Sequence, residues 1–214
     1  MFRWCARSGA RAVALPEASA AQAPAQGERG VLLAVVGPSG AGKDSLMAHA
    51  RERLGDDPSV LFVRRVITRS AVPSAEDHDA LTAEAFAEAQ SSGMFAVTWQ
   101  AHGLHYGIPA EVHQHLAAGG VAVVNGSRAA LREIHSAFEH VVTVQITCNP
   151  AVLASRLAAR GRESQAEIEQ RLSRAASVPS DCTGDVIEID NSGEFTVAGS
   201  KFVEIILQCI RRRS

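Results

Sequence analysis

The stretch VLLAVVGPSGAGKDS, Val31 to Ser45, constrains this chain more than any other. The unbroken apolar run Val31–Val36 is what a strand buried on both faces of a parallel sheet requires. Three glycines follow at Gly37, Gly40 and Gly42, then Lys43, and Asp44–Leu54 reads as a helix stopped by Gly55. Strand, glycine loop and helix in that order form a cradle for an anion. The loop can turn successive backbone N–H groups inward, and the helix presents its positive end to the same point. Gly37, Pro38, Ser39, Gly40, Ala41, Gly42 and Lys43 form the cradle, with Lys43 as a point charge for the β and γ oxygens of a triphosphate.

The position after the lysine normally offers a Ser or Thr hydroxyl to Mg²⁺. Here it is Asp44. A carboxylate beside a triphosphate is repulsive unless a cation stands between them. Hard cations take oxygen ligands and keep several waters. Asp44 is therefore expected to face Mg²⁺, directly or through water, with Ser45 as a neighbouring hydroxyl. The plainer alternative is a first-turn carboxylate stabilised by the helix dipole, by about 0.5 kcal/mol.

Beyond the loop the pattern alternates. Val60–Ile67, Val121–Gly126, Val141–Thr147 and Asp185–Asp190 read as strands. Asn149 is placed to cap a helix starting near Pro150, and Thr196–Arg211 forms a closing helix with Phe202, Ile205, Ile206 and Cys209 on one face. The expectation is an α/β fold of the P-loop NTPase type, a parallel five-stranded sheet flanked by helices. Two regions interrupt it. Residues 69–110 hold a polar loop, a short helix at Ala83–Gln90 and β-like pieces around Met94–Trp99 and Leu104–Ile108, too long for a connecting loop. Residues 158–166 are basic and read as a lid, followed by an amphipathic helix. Residues 1–29, rich in Ala, Arg, Gln and Pro, read as a dispensable extension, and residues 30–214 as one domain.

Composition removes several classes of function. A net charge of −2 argues against a general nucleic-acid binder. No window approaches the ~20 apolar residues that span a bilayer. Cys5, Cys148, Cys182 and Cys209 are scattered, as expected of reduced thiols in a cytoplasmic protein, and form no metal framework. His102/His105 and His113/His115 lack the H-E-x-x-H spacing and a third ligand. Oligomeric state is not legible.

With loop, insert and lid aligned, the chain from about Arg29 onward resembles the guanylate kinase family of nucleoside monophosphate kinases. Ile67–Arg69, the Gly93–Gly107 frame, Val123–Ser127 and the run RLAARGRES before RLSRA carry the likeness. In guanylate kinases the segment around Arg69 holds the acceptor's phosphate and the basic lid closes over ATP. The departures concern the base. Val97 and Ile108 stand where that family has a guanine-reading carboxylate and a hydroxyl, His78 replaces a tyrosine, and Asn125 and Ser127 replace an acidic pair. A site built to hydrogen-bond a base does not lose such partners cheaply. The runs GPSGAGKDS, ITR, HGLHYGI, VNGSR and RGRE look instead like the ribose 1,5-bisphosphate phosphokinases of bacterial phosphonate breakdown. That likeness implies transfer of a phosphoryl group from ATP, with Mg²⁺, to ribose 1,5-bisphosphate.

A phosphate acceptor is already ionised near neutral pH, so no catalytic base is needed; alignment and charge neutralisation suffice. On this reading Lys43 serves the donor. Arg69 is the leading candidate for the acceptor phosphate, with Arg64 and Arg65 either helping or merely flanking a strand end. Asn125, Ser127 and Arg128 follow a strand at the sheet end where ligands gather. Tyr106 offers a hydroxyl to the acceptor or is a packed aromatic. His78, Asp77 and His105 are either ribose contacts or solvated loop residues. In the lid region Arg160, Arg162 and Arg171 are the candidates for the transferring group, though Glu167 and Arg171 also fit a surface pair. Two rivals stay open: a residual guanylate kinase, and a guanylate-kinase-like binding module without catalysis.

Overall fold

The computed structural model describes residues 29–68, 78–101, 103–159 and 185–212. Five parallel strands form the central sheet: β1 (Val31–Val36), β2 (Val60–Phe62), β7 (Val121–Asn125), β8 (Val141–Thr147) and β9 (Asp185–Asp190), in the spatial order β2-β7-β1-β8-β9. With β1 central, every parallel step needs a crossover, and the helices supplying them cover both faces.

Residues of β1 alternate between two cores, as a period of two dictates. Leu32, Ala34 and Val36 point one way, onto Leu116, Leu131 and Ile134. These come from α3 (Val112–Ala117) and α4 (Leu131–Ala137). Leu33 and Val35 point the other way, onto Leu46 of α1 (Lys43–Leu54) and onto Phe202 and Ile206 of α6 (Phe195–Arg211). Each fully buried side chain of this kind contributes about 1.5–3 kcal/mol. Cys209, expected on the same apolar stripe, is only partly buried at its margin. Asn149 caps α5 (Pro150–Ala159) as the sequence predicts, accepting the Ala151 N–H at 2.9 Å.

The expected single strand Val60–Ile67 is instead two strands in two sheets. β2 ends at Phe62, and β3 (Arg65–Ile67) joins a separate four-stranded sheet, ordered β4-β3-β6-β5. Its other members are β4 (His78–Ala80), β5 (Phe95–Ala101) and β6 (Leu104–Pro109). The reason lies at Val63–Arg64. Val63 makes a last bond to the central sheet, its N–H to the Val123 carbonyl at 2.9 Å. Arg64 then turns outward to pair with Asp79 at 2.8 Å, while Arg65 is buried. The second sheet thus begins before residue 69. A short helix α2 (Ala83–Ser91), capped by Thr82, packs on it through Phe86, which stacks on Phe95 at 4.7 Å between ring centroids. Among the described residues no helix is long and apolar enough to cross a membrane.

One core contact makes stability depend on acidity. His135 of α4 lies with Nε2 3.2 Å from the hydroxyl of the wholly buried Thr143. Burial pulls its pKa below the ordinary 6.5. The unfolded chain therefore binds the proton first as pH falls, so this stabilisation is complete above pH 6.5 and is lost as pH drops from there through the folded-state pKa. Thermal unfolding followed between pH 7.5 and 5.5 is expected to shift to lower temperature, and His135→Gln should flatten that dependence over the upper part of the range.

Candidate active site

Because the central strands are parallel, the ends of β1, β7, β8 and β9 open on one edge of the sheet, the place where ligands collect in open α/β folds. The glycine loop leaves β1 there. Gly37 has φ 151° and its α-carbon faces the Ile146 carbonyl so closely that a β-carbon would lie 2.3 Å from that oxygen. Gly42 has φ 94° and serves as the N-cap of α1 without any side-chain cap. That glycine start turns the positive end of the helix toward the loop, as an anion cradle of this kind requires. Lys43 Nζ donates to the carbonyls of Gly37 at 2.9 Å and Pro38 at 3.1 Å, folding the ammonium back across the loop. Ala41 is wholly buried, and Leu153 and Leu157 of α5 pack beneath Gly40.

Asp44 is half-buried in the first turn of α1, and its Oδ1 accepts a hydrogen bond of 2.5 Å from the Asn125 amide at the end of β7. Asn125 thus reaches Asp44, a partner the sequence did not suggest, since the two lie far apart in the chain. Ser45 is exposed one step further round the turn. Ser127 accepts the Ala129 N–H at 3.3 Å and so caps a short 3-10 turn, Arg128–Ala130, that packs against β5. Burial lowers the Arg128 pKa, leaving it a partly desolvated cation on the turn that follows β7 and packs against β5.

In the second sheet, Tyr106 stacks on Trp99 with ring centroids 5.3 Å apart, and the Arg65 guanidinium lies 5.7 Å from the Tyr106 ring. Arg65 is thereby distinguished from Arg64, whose head pairs with Asp79 and whose Nη2 also touches the His78 carbonyl at 3.4 Å. His78 pairs with Arg65 across the β3–β4 ladder. His105 goes elsewhere: its ring lies 5.7 Å from that of Phe86, and strand alternation sends it to the face opposite Tyr106. Arg69, Asp77, Arg160, Arg162, Glu167 and Arg171 lie outside the described residues.

The residue that sequence reasoning missed is Asn191. Buried just beyond β9, it donates from Nδ2 to the Ala41 carbonyl at 2.7 Å. Its only linear signal is its place directly after a strand that ends at the ligand edge.

No protein-family model matches the chain. Ribose 1,5-bisphosphate phosphokinase PhnN of Agrobacterium fabrum is 47% identical over 178 residues, covering 83% of this chain and 96% of that protein. Its namesakes from Brucella melitensis and Rhizobium etli are 47% and 46% identical, over 82% and 84% of this chain and 91% and 90% of theirs. The chain belongs to the ribose 1,5-bisphosphate phosphokinase family. The fold has a solved counterpart in guanylate kinase from Anaplasma phagocytophilum, with a TM-score of 0.59 at 20% identity, covering 85% of this chain and 87% of that one. The phosphokinase family thus sits on a guanylate-kinase-like frame, as the loop, insert and sheet order here suggest, and the Asp44–Asn125 pair is how this member arranges the position after its loop lysine.

Proposed function

We propose that the chain transfers the γ-phosphoryl group of ATP to ribose 1,5-bisphosphate, giving 5-phospho-α-D-ribose 1-diphosphate and ADP. The carrying observation is an intact phosphate cradle in a chain that matches a phosphokinase relative over 96% of its length. In the reaction an oxygen of the acceptor's 1-phosphate attacks the γ-phosphorus and the bond to the ADP oxygen breaks. The acceptor oxygen is already ionised, so no residue need remove a proton.

The work of the chain is then positioning and charge. Lys43 and the N–H groups of the loop hold the donor's terminal phosphates. Residues suited to Mg²⁺ are present: Asp44, aimed by the Asn125 amide, with Ser45 beside it. Among the described residues no cluster of three His, Cys, Asp or Glu exists, which suits an ion held by one or two carboxylates, substrate phosphates and water. When bound, the ion neutralises charge on the donor phosphates. Arg65, Tyr106, His78, Ser127 and Arg128 form the acceptor's side of the cleft, Tyr106 acting through its hydroxyl or its packed face. Arg69 takes an acceptor phosphate, and Arg160, Arg162 and Arg171 supply the lid's cations. Residues 30–214 form the catalytic unit, with residues 1–29 dispensable and the enzyme working on small molecules in the cytoplasm.

A coupled assay of ADP release, run with ribose 1,5-bisphosphate, with GMP and with no acceptor, tests the reading. Release that depends on ribose 1,5-bisphosphate is the expected result. Dependence on GMP instead would indicate a guanylate kinase, and no release with either acceptor a binding module.

A further inference from the structure

We propose that Asn191 is a positioning residue that aims the phosphate loop at the donor. The inference rests on the reading of that loop as the donor site. Asn191 is 2% exposed. Its Nδ2 donates to the Ala41 carbonyl at 2.7 Å, and a β-carbon on Gly42 would come within 2.4 Å of the same nitrogen. The amide is therefore wedged against the peptide joining Ala41 to Gly42. In a planar trans peptide the carbonyl and the following N–H point in opposite directions. Anchoring the Ala41 carbonyl on Asn191 thus turns the Gly42 N–H away from Asn191. A loop that binds anions by its N–H groups needs its carbonyls held on the other side, and here a side chain from a distant strand end does the holding.

The anchor is itself fixed. The Asn191 N–H donates to the Thr147 carbonyl at 2.9 Å, and its carbonyl accepts from the Cys148 thiol at 3.8 Å. On one side Asp190 Oδ1 accepts both the N–H and the hydroxyl of Ser192, and that hydroxyl accepts the Asn149 N–H at 2.7 Å. Asn191 Oδ1, although buried, meets no hydrogen-bond partner among the described residues. An apolar side chain would fill this space without leaving such an atom, so the position is explained by what its donating half holds.

Two variants separate donation from mere packing. Asn191→Ala removes the donor and leaves a gap. Asn191→Asp keeps the shape and sets a carboxylate against the Ala41 carbonyl. Calorimetric titration with Mg·ADP is expected to show at least about tenfold weaker binding for Asn191→Ala and a larger loss for Asn191→Asp. The KM for ATP should rise in parallel, with the KM for ribose 1,5-bisphosphate staying within about twofold, because only the donor loop is disturbed. Circular dichroism checks the fold; should the aspartate variant not fold, the split between the two KM values in Asn191→Ala carries the test. Wild-type affinity for Mg·ADP in Asn191→Ala, tighter binding by Asn191→Asp than by Asn191→Ala, or equal shifts in both KM values would overturn the proposal. Failure of the unaltered protein to bind Mg·ADP would instead overturn the donor-site reading beneath it.

Discussion

Replacing Lys43 with alanine is expected to lower turnover by about a thousandfold or more while leaving the fold in place. The magnitude follows from the chemistry. A fixed donor aimed at charge that develops in the transition state is worth about 2.7–4 kcal/mol, and in the proposed donor site Lys43 would be a full cation beside a transferring phosphoryl group. The structural cost is small. Lys43 is only half-buried, and water replaces much of what its bonds to the Gly37 and Pro38 carbonyls contribute. Steady-state kinetics beside a thermal unfolding curve makes the comparison. Lys43→Arg should not rescue activity, since the broad guanidinium fork cannot fold back over the loop as the compact ammonium does. Undiminished turnover in Lys43→Ala would remove the donor site from this loop.

Asp44→Ala is expected to cost about a hundredfold in kcat/KM, or ~2.7 kcal/mol, and to raise the Mg²⁺ concentration needed for half-maximal rate. Helix-dipole stabilisation alone would be worth only about 0.5 kcal/mol and would appear in the unfolding curve rather than in the metal dependence. Asp44→Asn sharpens the comparison, because it keeps the shape and removes the charge. If the carboxylate works through the cation, Asp44→Asn should fall nearly as far as Asp44→Ala. A wild-type metal dependence in either variant would leave Asp44 as an ordinary first-turn acid. Asn125→Ala, which takes this one hydrogen bond from the carboxylate without removing it, should produce a milder version of the same change.

The loop, its flanking strand and helix, and the central sheet were legible because local physics determines them: an apolar run, glycines and a helix start. The split of Val60–Ile67 was not, because nothing local distinguishes a strand that continues from one that changes sheets; Arg64 and Arg65 decide it through Asp79 and Tyr106, far along the chain. From its place at a strand end Asn125 reads as a substrate contact, and its hydrogen bond to Asp44 emerges only when β7 is set beside β1. Asn191 shows the same limit more sharply. A single asparagine after a strand carries no periodicity and no motif, and its partner stands on another element. His105 and Tyr106 illustrate the converse: neighbours in sequence, they serve opposite faces of one strand.

The bond between Asp44 and Asn125 has a consequence for anyone redesigning this enzyme. The letter after the loop lysine and the letter ending β7 are one choice written in two places. A threonine at position 44 alone would strip the buried Asn125 amide of this carboxylate acceptor. A working exchange at this position would have to travel as a pair, so substitutions at 44 and 125 are expected to be linked rather than single steps.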